Sequence, residues 1–396
     1  MPRTILHLDL DAFFCAVEEL FDPSLKGKPF AVGGSPTGRG VVSSCSYPAR
    51  AFGVHSAMPM SQAVRICPGL IVVHQGHGRY GEMSRQVMDR LRDLAPLVEQ
   101  ISVDEAFVDI SDLCSAENAD PYAIAAALHA RVRDEVRLPC SIGVASNKLV
   151  AKIATEVGKH NAKKRPGPAD YPNAITIVPQ GQEAAFMAPL PANMLWGVGP
   201  KTEKRLTQLG IKTIGQLAAL GEGTLGSILG EHGRDLARHA QGIDTRPVSD
   251  EHVTKSVSQE RTYAQDVLDE AVLLKTLKRL SAEVGHNLRQ DDLAGTTIRL
   301  KLRWPDFETI TRQKALPQPT NLDVDIFAHA AELLRAARQA QPGRAVRLIG
   351  VGVSNLGPPT RQLELFSQQG EKDARLQKAL DEIQARFGKN SIERGK

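Results

Sequence analysis

Ile5-Leu6-His7-Leu8-Asp9-Leu10-Asp11-Ala12-Phe13-Phe14 and Val98-Glu99-Gln100-Ile101-Ser102-Val103-Asp104-Glu105-Ala106-Phe107-Val108 share one construction: an apolar, strand-like run that ends in carboxylates and passes straight into aromatic and apolar residues. Aspartate alone at a strand end commonly caps a turn. A solvated turn, however, continues into Gly, Pro or Asn, not into Ala12-Phe13-Phe14 or Ala106-Phe107-Val108. Carboxylates beside a core are costly unless something positive compensates them. Oxygen ligands gathered from two strands suit Mg²⁺, which keeps several waters and shares its other positions with substrate phosphates. Strand alternation gives Asp9 and Asp11 one face. Adjacent Asp104 and Glu105 point oppositely in a regular strand and converge only where the hairpin Val98-Ile101, Phe107-Ile110 turns or bulges.

The 396 residues suit roughly two to four domains, each able to bury a core. With 42% apolar and 24% charged residues the composition is that of a soluble globular protein, not a disordered or membrane chain. No apolar run approaches a spanning helix, and the N-terminus enters a strand carrying Asp9 without a signal-like apolar region, so a cytoplasmic protein is expected. Five scattered cysteines, with no C-x-x-C pair, support neither a zinc site nor a disulfide framework. A net charge of +4 permits a nucleic-acid partner without demanding one.

Along the chain, a strand (Thr4 to Leu10) and a helix (Phe13 to Leu20) precede a Gly- and Pro-rich stretch to Val73 that reads as a small, loop-rich insert. A helix over Tyr80 to Leu94, the acidic hairpin, a helix over Tyr122 to Val136, a strand at Ser141 to Ala145 and a helix from Asn147 follow. This order predicts a ferredoxin-type sheet with helices on one face and the two acidic clusters on neighbouring strands. After Lys163-Lys164-Arg165-Pro166-Gly167-Pro168, Ala188 to Gly242 reads as short helices with tight turns. A polar connector around Asp244 to Thr254 leads to a second strand–helix–strand–strand–helix–strand order, and the tail carries a short apolar motif and an amphipathic helix over Glu371 to Phe387.

Three further patterns carry chemistry. Lys148, Lys152 and Lys159 fall within about 40° of one another at about 100° per helical residue, which fits either a polyphosphate site or a solvated lysine face. Gly197-Val198-Gly199 between predicted helices, with Lys201 beyond it, is similar to a helix-hairpin-helix turn, whose backbone N–H groups hold a DNA phosphate without reading sequence. Arg299, Lys301 and Arg303 alternate with Leu300, Leu302 and Trp304, so one strand face is basic. Such a face suits a sugar–phosphate backbone, or simply solvent.

Asp9-Leu10-Asp11-Ala12-Phe13-Phe14, Tyr47-Pro48-Ala49-Arg50, Ser102-Val103-Asp104-Glu105-Ala106 and Gly197-Val198-Gly199 stand in the order and spacing of the Y-family translesion DNA polymerases, and the chain resembles most their bacterial DNA polymerase IV (DinB) branch. The resemblance covers roughly Met1 to Leu356. It implies an α+β multidomain, right-hand polymerase: a ferredoxin-like palm (1–21 and 74–165), small fingers (22–73), a helical helix-hairpin-helix thumb (166–243), a linker (244–254), a βαββαβ little finger (255–357) and a tail (358–396).

The resemblance also implies roles. Asp9, Asp104 and Glu105 become the catalytic acids and, with the Leu10 carbonyl, the ligands of two Mg²⁺ ions. Asp11, though beside Asp9 by alternation, is not among the family's principal ligands. Phe14 becomes the steric gate against a 2′-hydroxyl, and Phe13, Tyr47, Arg50 and Lys159 become contacts to the incoming deoxynucleoside triphosphate. The chain departs from the family after Lys159, where His160-Asn161-Ala162 replaces the usual nearby Pro and Gly. Gly197, Gly199, Lys201, Arg299, Lys301 and Arg303 become contacts to primer–template DNA. Gln362, Leu363, Leu365 and Phe366 resemble the family's peptide for the β sliding clamp. The implied activity is error-prone translesion synthesis by a cytoplasmic monomer without a proofreading exonuclease and without a membrane partner. A nucleotidyl cyclase would share carboxylates on such a sheet but needs no helix-hairpin-helix, and a DNA- and clamp-binding adaptor would not need the acids.

Overall fold

The computed structural model describes residues 3–76, 78–116, 119–163, 171–251 and 253–359, with a few positions between 376 and 388. The chain divides into two compact units, Met1–His252 and Val253–Lys396.

In the first unit, β1 (Ile5–Leu10) runs into α1 (Phe13–Phe21). Between them Ala12 takes a left-handed conformation, with φ 47°. An insert follows with β2 (Phe30–Gly33), β3 (Val42–Cys45), α2 (Tyr47–Ala51), α3 (Met60–Ile66) and β4 (Ile71–Val73), its strands ordered β3-β2-β4 around a small core of its own. Next come α4 (Arg79–Leu94), the hairpin β5 (Val98–Gln100) and β6 (Glu105–Asp109), α5 (Ser111–Ala116), α6 (Pro121–Arg131), β7 (Cys140–Ala145), α7 (Lys148–Lys163) and β8 (Ile175–Ile177).

These strands form one sheet in the order β5-β6-β1-β7-β8, with β1 antiparallel to both neighbours. Leu6, Leu8 and Leu10 pack with Val17 of α1, Leu91 of α4 and Leu128 of α6 on one face. Burying each such leucine contributes about 1.5–3 kcal/mol. The other face is covered by α7, so helices lie on both faces and not on one as the order of elements predicts. The cause is β8, a three-residue strand that sequence periodicity does not reveal. It pairs parallel to β7, and a parallel pair needs a crossover, which α7 supplies. Residues 175–177, which the sequence places in the helical segment, thus belong to the first sheet. Gly143 lets α7 settle there: a Cβ at that position would stand 2.1 Å from the Ala151 carbonyl oxygen and 2.5 Å from the Thr155 nitrogen.

The helical segment holds α8 (Glu183–Met187), α9 (Pro200–Gln208), α10 (Ile214–Leu229) and α11 (Glu231–Ala240). Thr213 and Gln216 form a capping box at the start of α10. The start of the expected connector is anchored within this unit. Asp244 is buried and bound by Arg246, while Arg3 donates to the Asp244 carbonyl at 2.9 Å.

The second unit contains β9 (Ser256–Val267), α12 (Glu270–Gln290), β10 (Ala294–Arg303), β11 (Thr309–Thr320), α13 (Asp323–Ala340) and β12 (Val346–Gly357), in the antiparallel order β11-β10-β12-β9. Leu300, Leu302, Trp304, Ile349, Val351 and Val353 form its core with Leu277, Leu280 and Leu334 of the helices. The four strands and two helices stand in the βαββαβ order that the sequence predicts. Among the described residues no cysteine is in a disulfide, and no helix is long and apolar enough to cross a membrane.

Candidate active site

Alternation along β1 turns His7, Asp9 and Asp11 toward α7, and the register sets Asp9 opposite Glu105 of β6 and Ser141 of β7. Asn147 immediately precedes helix α7, and its Oδ1 accepts from the Val150 N–H at 3.0 Å. The helix face of Lys148, Lys152, Thr155 and Lys159 lies against these strands. On the lysine face that the sequence leaves open between phosphate and solvent, each ammonium meets its own carboxylate. Lys148 Nζ is 3.0 and 2.7 Å from the Glu99 oxygens, Lys152 pairs with Glu105, and Lys159 Nζ is 2.6 Å from Asp9 Oδ1. Buried carboxylates need such partners.

The acids differ electrostatically. Burial raises Asp9 to about 7 against the opposing pull of Lys159. Glu105 is held down to about 2 by the His7 imidazole and by Lys152, against its own partial burial. His7 Nε2 lies 3.5 Å from Glu105 Oε2, a polar contact at the edge of hydrogen-bond range, so the ammonium is the firmer partner. Burial lowers His7 to about 4, leaving it neutral at pH 7. Burial likewise raises Asp11, with Lys159 the main opposing influence.

A cleft of about 250 Å³ is lined by Asp9, Leu10, Asp104, Phe13, Phe14, Tyr47, Arg50 and Lys159, with a few serines and Glu156 among the rest of its wall. Eight of the nine residues expected at the metal and nucleotide sites thus share one cavity. The ninth, Glu105, turns to Lys152 and His7. Asp104 precedes β6, held by a hydrogen bond from the Leu10 N–H to its carbonyl at 2.9 Å. Among the described residues no three His, Cys, Asp or Glu side chains gather as a metal-holding group, since Asp9 and Glu105 are each drawn to a lysine. The donors themselves suit a divalent cation: Asp9, Asp104 and the Leu10 carbonyl are hard oxygens on one wall, and a cation would relieve the cost of burying Asp9.

Phe14 is partly exposed at the cleft, and Phe13 is buried beside it. The Phe14 ring stacks on Tyr80 of α4, with centroids 4.3 Å apart and planes at 30°, and the Tyr80 hydroxyl donates to the buried Glu18 at 2.5 Å. The sequence reading missed Tyr80 in this role because no periodicity links α1 to α4. His7 was missed too, although its place two residues before Asp9 on the same strand face was a usable signal. Arg50 donates from Nε to the Cys45 carbonyl at 3.1 Å and lies 4.7 Å over the Tyr47 ring.

Away from the cleft, Gly197 has φ 101°, which a side chain would strain, and Gly199 caps α9, whose first turn carries the exposed Lys201. In the second unit Arg299 and Lys301 pair in register with Gly352 and Gly350 of β12. The two glycines line a pocket together with Arg299, Lys301 and Glu260. Arg299 is exposed, Lys301 lies 2.6 Å from Glu260, and Arg303 donates to Thr309 Oγ1 at 2.9 Å. Gln362, Leu363, Leu365 and Phe366 lie outside the described residues.

Carboxylates at the ends of sheet strands, a lysine of α7 and an aromatic ring of α1 thus line one cleft, in an α+β chain that also carries a βαββαβ unit, as expected of a polymerase that transfers nucleotides. Residues 8–156 match the impB/mucB/samB family and residues 254–365 match the C-terminal domain of that family. DNA polymerase IV of Dehalococcoides mccartyi is 38% identical over 394 residues, covering 100% of this chain and 97% of its own. DNA polymerase IV of Streptomyces coelicolor is 42% identical over 367 residues, covering 92% and 73%. A solved Y-family DNA polymerase chimera based on Dbh superposes with a TM-score of 0.78 at 25% identity, over 90% of this chain and 99% of its own. The chain belongs to the Y-family of DNA-directed DNA polymerases, in its DNA polymerase IV branch.

Proposed function

We propose that this polymerase carries out error-prone translesion synthesis, joining a primer 3′-hydroxyl to the α-phosphate of a deoxynucleoside triphosphate and releasing pyrophosphate, without a 3′–5′ exonuclease of its own. The observation that carries this reading is the single cleft in which Asp9, Asp104 and Leu10 stand with Tyr47, Arg50, Lys159 and Phe14. Asp9, Asp104, Glu105 and the Leu10 carbonyl would hold divalent metal, two Mg²⁺ ions in our reading. When bound, these would acidify the primer hydroxyl and offset charge on the departing pyrophosphate.

The remaining work falls to the chain. Arg50 and Lys159 bind the triphosphate oxygens, Arg50 through a planar fork that matches phosphate. Tyr47 and Phe13 wall the nucleotide, and Phe14 excludes a 2′-hydroxyl by occupying its space. The insert over 22–73, with strands of only three or four residues, offers little surface to police a distorted pair, which favours bypass over fidelity. Gly197, Gly199 and Lys201 grip backbone phosphate at the start of α9, and Arg299, Lys301 and Arg303 do so along β10. We assign palm, fingers, thumb, linker and little finger with the boundaries given above, except that the palm sheet also takes in residues 175–177. We further propose a cytoplasmic monomer that docks on the β sliding clamp through Gln362, Leu363, Leu365 and Phe366.

The test is primer extension with Mg²⁺ on a defined template. Asp104→Ala and Glu105→Ala should each abolish extension while DNA binding stays near wild type. Substantial extension by either variant would sink the assignment.

A further inference from the structure

Asp11 is a fully buried carboxylate that the reaction described above does not use. Ser141 Oγ lies 3.0 Å from both of its oxygens, and the Asn173 N–H donates to Oδ2 at 3.0 Å. These contacts tie the end of β1 to β7 and to the turn before β8, and they fix the carboxylate rigidly. Its Oδ1 also lies 3.7 Å from Lys159 Nζ, the ammonium that sits on Asp9. A third carboxylate, Glu156, is 3.8 Å away, but it is half exposed and screened by solvent.

A triphosphate in the cleft would compete with Asp9 for the Lys159 ammonium. Once Asp9 is engaged elsewhere, the ammonium retains one rigid, buried counter-charge, Asp11, slightly beyond hydrogen-bond range. Such a partner keeps the ammonium at the cleft without trapping it. We propose that Asp11 is a positioning residue that holds Lys159 at the cleft for the triphosphate of the incoming nucleotide. This inference rests on the reading of Lys159 as a triphosphate contact.

A double-mutant cycle tests it. Nucleotide affinity is measured at equilibrium on a dideoxy-terminated primer–template, alongside single-turnover extension on a normal primer and the melting temperature. Asp11→Asn should weaken deoxynucleotide binding on the order of tenfold with the maximal rate changed less than about twofold, and in a Lys159→Met background it should add less than about twofold, a coupling typical of residues that touch. Ser141→Ala, which removes the tie from Asp11 to β7 and the acceptor of the Ala174 N–H at 3.1 Å but keeps the Asp11 carboxylate beside Lys159, should lower the melting temperature and leave nucleotide affinity intact. Additive effects, or a loss in Asp11→Asn that Ser141→Ala reproduces, would reduce Asp11 to a structural tie and overturn the proposal. If Asp11→Asn does not fold, Asp11→Glu serves instead: its charge is displaced by one methylene, so nucleotide affinity should shift only while Lys159 is present, and no shift overturns the proposal. Unchanged affinity in Lys159→Met alone would instead refute the underlying role of Lys159.

Discussion

Sugar selectivity should depend on Tyr80 as well as on Phe14, because a gate works only if its ring is held still. The two rings stack with centroids 4.3 Å apart, and such a pair is worth about 0.5–1.5 kcal/mol beyond its buried area. If that energy holds Phe14 in its blocking pose, Tyr80→Leu should cut discrimination between deoxy- and ribonucleotides by about two- to thirteen-fold. Tyr80→Phe keeps the ring and loses only the hydroxyl that donates to Glu18. It should lower stability by about 1–3 kcal/mol, the cost of stranding a buried acceptor, and leave selectivity unchanged. Phe14→Ala removes the proposed gate itself and sets the upper limit of the effect. The measurement is the ratio of kcat/KM for the deoxy- and ribonucleotide opposite one template base. A wild-type ratio in Tyr80→Leu, or an equal loss in Tyr80→Phe, would refute the buttressing role.

Three further outcomes are expected. Gly143→Ala drives a methyl into the α7 backbone at 2.1 Å and should cost about 3 kcal/mol or more; a wild-type denaturation midpoint would contradict the packing of α7 on β7. Asp244 is deeply buried, and burial raises its carboxyl, but the Arg246 guanidinium at 2.8 Å and the Arg246 N–H outweigh this and hold it below the usual range. Asp244→Ala should therefore cost about 1–3 kcal/mol, discounted because Arg246 is half exposed. Since the folded-state value is depressed, this contribution is complete above the ordinary aspartate range and fades as pH falls below about 4; urea titrations of wild type and variant should converge there. Replacing both Arg299 and Arg303 with Ala should weaken DNA binding uniformly across sequences and reduce the slope of log K against log salt by about 0.9 for each DNA phosphate that is no longer neutralised; an unchanged slope would take β10 away from the DNA.

The acidic strands were legible because two signals agree there: alternation assigns Asp9 its face, and the aromatic residues after each cluster exclude a solvated turn. The same logic left α7 undecided. Three lysines at helical spacing read as a face turned to solvent or phosphate, and nothing local to the helix says that Glu99, Glu105 and Asp9 stand opposite in matching register. That information lies in the pairing of β6 and β7 with β1, and in the absence of a side chain at Gly143. Tyr80 and Phe14 meet across two helices, while β8 is too short for any period to show. The anchoring of Asp244 depends on Arg3, at the other end of the unit. In each case what escaped the sequence is a meeting of distant segments, where the physical preference of each residue alone is ambiguous.

The lysine ladder also says how this site keeps its acids compensated. A largely buried carboxylate such as Asp9 is costly to leave alone, and Lys159 compensates it here. Yet Lys159 is also the cation that the proposed reaction needs at the triphosphate. The two demands compete: when Asp9 gains another positive partner its hold on the ammonium weakens, and an arriving phosphate can take its place. Nucleotide binding and the freeing of Asp9 then become one exchange of partners. Glu105 needs a similar release from Lys152 before it can hold metal, but Lys152 is not among the proposed triphosphate contacts. Lys159→Met should therefore act mainly on nucleotide affinity, and Lys152→Met mainly on the rate of the chemical step. The opposite pattern in single-turnover kinetics would show that the two pairs have been assigned the wrong way round.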